Sequence, residues 1–236
     1  MDDITRFLKP IPPYPQGGYD LVPPPRECGE ALVDVTELHP RVRYGASYLT
    51  QGLPGALERC YLRAGLWERL LAALDLLPER YTLLIFDGLR PLGVQKALYD
   101  QFAQLIRQER PGIGQAELEL LLDDFVAKPV KRPARPAPHS TGGAVDLTLC
   151  ENGVPLDMGT GFDDLTNLAH TAWFESAKTP ETLAVRDHRR LLYHVMTQAG
   201  LESYDCEWWH YAYGERMWAR AHHCAPIYGF CPECDF

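Results

Sequence analysis

Prolines exclude regular secondary structure from two stretches of this chain. Residues 1–27 carry seven prolines, and the basic segment 128–138 carries four more. Because proline has no backbone N–H and a fixed φ, such segments cannot form a helix interior or a central strand. We therefore expect residues 1–27 to run extended and irregular over the surface, and residues 128–138 to form a stiff loop that leads to His139.

Apolar residues at helical and strand spacings occupy the rest of the chain. A stripe of apolar residues that begins near Pro54 and ends before Pro78 predicts the first helix. Because helices and strands come in blocks and do not alternate strictly, we expect one α+β domain over residues 1–236, with a largely antiparallel sheet and flanking helices. The other predicted elements are helices after Pro91, over 115–127 and over 181–199, and strands over 81–86, 144–149 and 207–213.

The charge balance limits the partners that this chain can bind. A net charge of -9 argues against a protein that grips nucleic acid or an anionic membrane mainly by charge. The sequence has no apolar run of about 20 residues that would cross a bilayer, and its acidic start, Met-Asp-Asp, does not resemble a secretory signal. We therefore expect a cytoplasmic protein with no membrane partner.

The segment from His139 to Asp146 contains two common metal ligands separated by two glycines. In a straight strand these side chains would lie roughly 23 Å apart and on opposite faces. They can meet only if the chain reverses between them, and Gly142 and Gly143 provide that freedom. The alternative is an aspartate that caps a turn and a surface histidine, and this motif alone leaves both interpretations open.

Two shorter motifs carry further candidate residues. Glu207 and His210 flank two tryptophans, which is typical either of the wall of a dry pocket or of an aromatic core strand. Arg90 follows a predicted strand and precedes a helix, so its guanidinium could stabilise an oxyanion or simply pair with Asp87. If His139, Asp146 and His210 hold zinc, a fourth position stays open for water, and Glu207 can act as its base.

The end of the chain contains a second, weaker metal signature. Cys224, Cys231 and Cys234 lie close together in sequence, with two histidines just before them. A structural zinc site usually has two well-separated ligand pairs, and this spacing is only part of that pattern. A second, structural zinc and a set of free thiols are both consistent with it.

Taken together, four segments resemble the D-alanyl-D-alanine dipeptidases of the VanX type, within the wider group of zinc D,D-peptidases and Hedgehog-like domains. The resemblance runs from about Tyr44 to Tyr213, and residues 217–236 look atypical. The four segments are DGLRP (87–91), HSTGGAVDLTL (139–149), MGTGFDD (158–164) and EWWHY (207–211).

The resemblance implies a role for each candidate residue. Arg90 matches the arginine that steadies the transition state, Asp163 matches an acid that holds the substrate ammonium, and Tyr44 matches a tyrosine near that end. Ala137 stands where the family often has a serine near the substrate carboxylate. His139, Asp146 and His210 match the family's zinc ligands. Glu207 matches its general base.

The sequence therefore predicts a zinc metallopeptidase that hydrolyses a short dipeptide, D-alanyl-D-alanine first among the candidates. Two alternatives stay open at this point. One is a D,D-carboxypeptidase or cell-wall peptidase with the same zinc site, and the other is a zinc-holding domain that binds without turnover. The presence of both Glu207 and Arg90 favours an enzyme, since a binding domain needs neither.

Overall fold

The computed structural model describes residues 4–15, 17–123, 126–131, 133–164 and 166–235. The end of the helix predicted over 115–127 and one residue of the predicted 128–138 loop, residues 124–125 and 132, lie outside that description. The strands are β1 (Leu32–Asp34), β2 (Val42–Tyr44), β3 (Tyr61–Arg63), β4 (Tyr81–Asp87), β5 (Ala144–Glu151), β6 (Val154–Pro155), β7 (Glu202–Ser203) and β8 (His210–Ala212). The α-helices are α1 (Ser47–Thr50), α2 (Ala64–Asp75), α3 (Leu92–Glu109), α4 (Gln115–Asp123), α5 (Pro180–Gln198) and α6 (Arg216–Ala221).

The larger sheet has the strand order β2-β4-β5-β8-β7, and β6 pairs with the outer end of β5. Within the described residues, β2 with β4 is its one parallel pair, and the other pairs are antiparallel. Strands β1 and β3 form a separate two-stranded sheet. These pairings, together with the helices, confirm the expected α+β class with a largely antiparallel sheet.

The core lies between the large sheet and two helices. Apolar side chains of α2 and α5 pack with those of β4 and β5 in one buried cluster, in which Leu66, Leu70 and Val195 have no exposed surface. A smaller cluster joins α3 and α4 to Tyr48. Almost every residue of β5 is buried, so both of its faces are covered. A polar side chain on this strand therefore needs a specific partner.

The first predicted helix begins later than expected. The stripe from Pro54 indicated a helix through Cys60, but residues Tyr61–Arg63 form β3 and pair with β1. The carbonyl of Cys60 accepts a hydrogen bond from the Val35 amide, so its backbone belongs to this small sheet although its spacing to Ala64 suits a helix. The helix prediction was wrong here because residues four apart lie on one face of a strand as well as of a helix. The spacing from Cys60 to Ala64 therefore does not distinguish a helix from a strand that leads into one.

Near both ends of the chain, the described segments pack on the domain. Residues 4–15 and 17–27 are irregular apart from two short 3-10 turns, as expected from their prolines. Arg220 of α6 donates to the carbonyls of Pro15 and Gly17 at 2.6 and 2.8 Å and so fixes this segment to the tail. Over the described residues, no helix combines the length and the apolar character needed to cross a membrane.

Candidate active site

The register of the sheet aligns three polar residues in a row. Asp146 of β5 is paired with Asp87 of β4 on one side and with His210 of β8 on the other. A bulge between Ile85 and Asp87 shifts the β4 register by one residue just before this point. The strands thus bring residues from distant parts of the chain to the same end of the sheet.

His139 reaches this row because the chain turns sharply before β5. Residues Pro138–Thr141 form a 3-10 turn, and Gly142 has a φ of 71°, which reverses the chain as expected. At Gly143 an added Cβ would lie 2.6 Å from the Tyr213 carbonyl oxygen, so only glycine fits between this turn and the neighbouring strand. The predicted need for a reversal at the two glycines is confirmed.

Three ligand atoms converge at this point. His139 Nε2 lies 3.2 Å from His210 Nδ1 and 3.2 Å from Asp146 Oδ2, and His210 Nδ1 lies 3.1 Å from Asp146 Oδ1. All three side chains are buried, at 5%, 1% and 3% exposure for His139, Asp146 and His210. Among the described residues, these three are the group of histidines, cysteines and acids that could hold a metal ion.

The neighbouring groups hold His139 and Asp146 in the protonation states that bind a cation. His139 Nδ1 lies 2.9 Å from the Gly88 carbonyl oxygen, which can only accept, so Nδ1 carries the proton and Nε2 presents a lone pair. Burial acts to raise the pKa of Asp146, but the charges and hydrogen bonds of His139 and His210 outweigh it and lower that pKa. Asp146 is therefore ionised, as a ligand must be.

Arg90 forms ion pairs with both Asp87 and Asp146. Its Nε donates to Asp87 Oδ2 at 2.7 Å, its Nη1 to Gln95 Oε1 at 3.2 Å, and its Nη2 to Asp146 Oδ2 at 3.1 Å. Pairing with Asp87, the alternative open from sequence, is thus present, yet Arg90 also lines the cavity beside the ligand group. A guanidinium has five N–H donors. Three of them donate to acceptors in the described part of the chain, which leaves two for a ligand.

Glu207 lies in the turn before β8, next to His210. Its Oε2 is 3.7 Å from His210 Nδ1, and its side chain is 21% exposed. Burial, and then the negative charge of Asp146, raises the pKa of Glu207 to about 8. Trp208 and Trp209 are buried behind it. The strand predicted over 207–213 is shorter than expected, and this shortening leaves Glu207 in a turn that faces the cavity.

Asp163 and Tyr48 form a second polar pair at the cavity. The Tyr48 hydroxyl donates to Asp163 Oδ1 at 3.3 Å. Asp163 has a φ of 61°, a left-handed conformation that aspartate tolerates better than most residues. Burial raises the pKa of Asp163 to about 7, although Arg90 acts in the opposite direction.

The structure puts Tyr48, and not Tyr44, at the cavity. Tyr44 lies in β2, and its hydroxyl donates to the Leu57 carbonyl at 3.2 Å, away from the residues that line the cavity. Tyr48, which was not among the predicted site residues, lies in the short helix α1 that follows β2 and is 4% exposed. Its position soon after the Gly45-Ala46 turn was the available signal, since a turn there directs the next aromatic side chain inward.

The cavity has a volume of about 480 Å³, within the range of small-molecule sites. Its lining includes the ligand group and the acids Asp163 and Glu207, together with basic residues such as Arg135 and Arg216. Ala137 also lines the cavity and contributes no hydroxyl group there. The cavity therefore offers groups of both charge signs to a small ligand with two charged ends.

The cysteines of the tail do not form a second metal group. Cys231 and Cys234 are buried against Leu89, and the Cys231 amide donates to the Ser140 carbonyl at 2.8 Å. Cys224 is exposed. Within the described residues, the three thiols do not come together as a metal ligand set. Instead, the tail supports the turn that carries His139, so the geometry does not support the predicted second zinc.

Comparison with known proteins extends the region of similarity beyond the four motifs. Residues 30–227 match the sequence model of a family described as D-ala-D-ala dipeptidase. This match covers most of the chain and continues past Met217.

Several characterised relatives are similar over most of their length. A D-alanyl-D-alanine dipeptidase of Synechocystis sp. is 30% identical over 240 residues, covering 90% of this chain and 91% of that protein. One from Streptomyces coelicolor is 33% identical over 200 residues, covering 77% and 90%. One from Enterococcus faecium is 28% identical over 163 residues, covering 68% and 76%.

Proposed function

This chain belongs to the D-ala-D-ala dipeptidase family, and from that membership we propose that it hydrolyses D-alanyl-D-alanine or a closely similar dipeptide at a zinc ion. The observation that carries the proposal is the convergence of His139, Asp146 and His210 on one point, with Glu207 beside them. The names of the relatives supply the substrate class.

The spacing of the ligand atoms fits zinc. A tetrahedral zinc ion with N or O ligands at about 2.1 Å keeps those ligands roughly 3.4 Å apart. The observed separations of 3.1 to 3.2 Å between the ligand atoms of His139, Asp146 and His210 come within a few tenths of an ångström of that value. Two imidazoles and one carboxylate are also a common protein donor set for catalytic zinc, which keeps a further position open.

Glu207 is proposed as the general base. When bound, the zinc ion would polarise the scissile carbonyl and lower the pKa of a water molecule to around 7. The Glu207 carboxylate would accept the proton of that water and then deliver it to the nitrogen of the leaving amine. Its raised pKa supports this double role, because a carboxyl that titrates near neutral pH can both take and release a proton.

Arg90 is proposed to stabilise the oxyanion. Three hydrogen bonds hold the guanidinium in one orientation at the edge of the cavity. A donor that is already oriented needs no reorganisation when negative charge develops on the carbonyl oxygen. Its bond to Asp146 also ties this group to the ligand set, so oxyanion and metal would be held in one rigid arrangement.

Asp163 is proposed to hold the free ammonium group of the substrate. Its carboxylate lines the cavity, and Tyr48 orients it through the 3.3 Å hydrogen bond. An acid at this point favours a substrate whose amino group lies close to the scissile bond. A dipeptide fits that requirement, and a long chain, with its ammonium far away, does not.

Two measurements on the purified full chain test the proposal. The first is zinc content by elemental analysis for the wild type, His139→Ala and His210→Ala. The control is His188→Ala, because His188 is a half-buried histidine on α5 that does not line the cavity. We expect one zinc per chain in the wild type and in the control, and loss of zinc in the two ligand variants. Full zinc occupancy in both ligand variants would mean that the ligands are misassigned.

The second measurement is hydrolysis of D,D-, L,D- and L,L-dipeptides by the zinc-loaded wild type. We expect D-alanyl-D-alanine to be cleaved fastest. Zinc binding without hydrolysis of any dipeptide would contradict the peptidase proposal and favour a domain that binds without turnover.

A further inference from the structure

The two histidines of the site differ in what holds their second ring nitrogen. His139 directs Nε2 to the ligand group while its Nδ1 is held by the Gly88 carbonyl at 2.9 Å, with Asp87 Oδ2 at 3.4 Å. His210 directs Nδ1 to the ligand group, and its Nε2 is buried with no hydrogen-bond partner among the described residues. A ligating imidazole almost always donates its other N–H to a carboxylate, carbonyl or water.

A buried acid close in sequence to His210 has the opposite deficiency. Glu215 follows β8 and is 1% exposed. Its Oε1 accepts the amides of Met217 and Trp218 at 2.7 and 2.9 Å and caps the start of α6. Its Oε2 is buried and, across the residues that the structure describes, lacks a partner. A buried carboxylate oxygen without a donor is costly, so this atom needs a proton donor.

The cavity brings the surroundings of these two groups together, because Arg216 and Met217, which follow Glu215, line the same cavity as His210. Burial raises the pKa of Glu215, and the Met217 and Trp218 amides and then the His210 imidazole act in the opposite direction. The two atoms do not form a direct hydrogen bond here. A bridging water can complete such a link, and a water-mediated contact is nearly as favourable as a direct one.

We propose that Glu215 is the positioning residue of His210: its Oε2 accepts the Nε2 proton and holds the ring with Nδ1 towards the metal. The inference rests on the proposed zinc function and adds a residue outside the four motifs. Glu215 thereby links the start of α6 to the ligand set, in the way that Gly88 and Asp87 support His139 from β4.

The decisive variant is Glu215→Gln. Glutamine keeps an oxygen to cap Met217 and Trp218, but it then presents an NH₂ group to His210 Nε2, which cannot accept a proton while Nδ1 is a ligand. Glu202→Gln is the matched control, because Glu202 is a partly buried glutamate on the neighbouring strand β7 that makes none of these contacts.

Two readouts test the proposal on the full chain. Zinc affinity is measured by competition with a chelator, and the His210 Nε2 proton is followed by NMR in zinc-loaded, ¹⁵N-histidine-labelled protein. We expect Glu215→Gln to weaken zinc affinity by about 10- to 100-fold and to shift the Nε2 proton upfield or expose it to fast exchange. Glu202→Gln should change neither.

Unchanged zinc affinity and an unchanged Nε2 proton in a folded Glu215→Gln variant would overturn the inference while leaving the zinc site intact. An equal loss of affinity in Glu202→Gln would also overturn it, since the effect would then be one of general packing. A wild type that binds no zinc would instead refute the proposed function, and this inference with it.

Discussion

The Tyr48 hydroxyl and the Asp163 carboxylate meet at 3.3 Å on the wall of the cavity, although they are 115 residues apart in the sequence. Because Tyr48 is 4% exposed and packed among α3 and α4, its hydroxyl is a fixed support for the acid. The pair is therefore suited to holding a small cation, such as an amino group, at a defined distance from the ligand set.

The first prediction concerns substrate length. Asp163→Asn should raise KM for D-alanyl-D-alanine, because an amide cannot form the charge-assisted bond to ammonium, which is worth about 1.5 to 3 kcal/mol. N-acetylated D-alanyl-D-alanine should be a poor substrate for the wild type for the same reason. Asp164→Asn is the control, since Asp164 caps the Thr166 amide and hydroxyl. Equal rates for free and acetylated dipeptides would favour a carboxypeptidase.

The second prediction concerns stability and pH. Burial raises the folded-state pKa of Asp163 from 3.8 to about 7. A carboxyl with a raised folded pKa stabilises the fold at acidic pH, and this contribution is lost as the pH rises from about 4 to about 7. Asparagine cannot ionise. The stability of metal-free Asp163→Asn relative to the wild type should therefore be higher at pH 8 than at pH 4, by at most about 4 kcal/mol.

Urea unfolding of the metal-free proteins at the two pH values measures this difference. Asp164→Asn, which removes the neighbouring carboxyl and leaves Asp163 in place, is the control. A pH-independent difference for Asp163→Asn would mean that Asp163 has an ordinary pKa in the folded protein.

The third prediction separates a base from a ligand. Glu207→Gln should retain zinc and the fold, because its side chain lies 3.7 Å from His210 Nδ1 and outside the three-ligand group. Glutamine cannot accept the proton of water, so kcat should fall about 10²- to 10⁴-fold with little change in KM. Zinc content is measured beside the hydrolysis rate, with the exposed Glu181→Gln as control. Loss of zinc would make Glu207 a ligand.

The fourth prediction concerns the shape of the Arg90 side chain. Arg90→Lys keeps the charge, but a single ammonium cannot contact Asp87, Gln95 and Asp146 as the guanidinium does. We expect kcat to fall about 10²- to 10³-fold, as when one oxyanion donor is lost, and the melting temperature to fall as well. Arg59→Lys, in an exposed pair with Asp34, should leave both nearly unchanged. Wild-type kcat in Arg90→Lys would remove Arg90 from the mechanism.

The fifth prediction tests the turn before β5. In Gly143→Ala the new methyl would lie 2.6 Å from the Tyr213 carbonyl oxygen, and such overpacking costs about 1 to 3 kcal/mol. Thermal unfolding should show the loss of stability. Zinc affinity should weaken because this turn positions His139. Gly161→Ala has open space around its Cβ and a φ outside the left-handed region, so it is the matched control. Equal melting temperatures for the two variants would contradict this account.

The sequence predicted the parts of the site that depend on short motifs. His139, Asp146 and His210 were identified from motif and resemblance. The chain reversal was expected because His139 and Asp146 can meet only if the chain turns back, which Gly142 and Gly143 allow. Tyr48 was missed because its role depends on where α1 lies against β4. Glu215 was missed because its burial at the start of α6 depends on how β8 leads into that helix.

Other features depend on strand register, which no local pattern reveals. The bulge before Asp87 decides that this residue, and not its neighbour, faces Asp146. The helix predicted from the apolar stripe through Cys60 was wrong for a related reason. Pairing with β1 makes the next residues a strand although their spacing suits a helix.

The separation of the three ligand residues along the chain also determines when the site can form during folding. His139 and His210 are separated by 71 residues, and His210 and Asp146 by 64. Closing loops of that length is entropically unfavourable, and chains dominated by such distant contacts fold slowly. His139 and Asp146 lie in one short segment, but the third ligand, His210, comes 64 residues after Asp146. The complete set of three ligands therefore forms only when β8 pairs with β5, so full coordination of the ion would report on assembly of the sheet and would not start it.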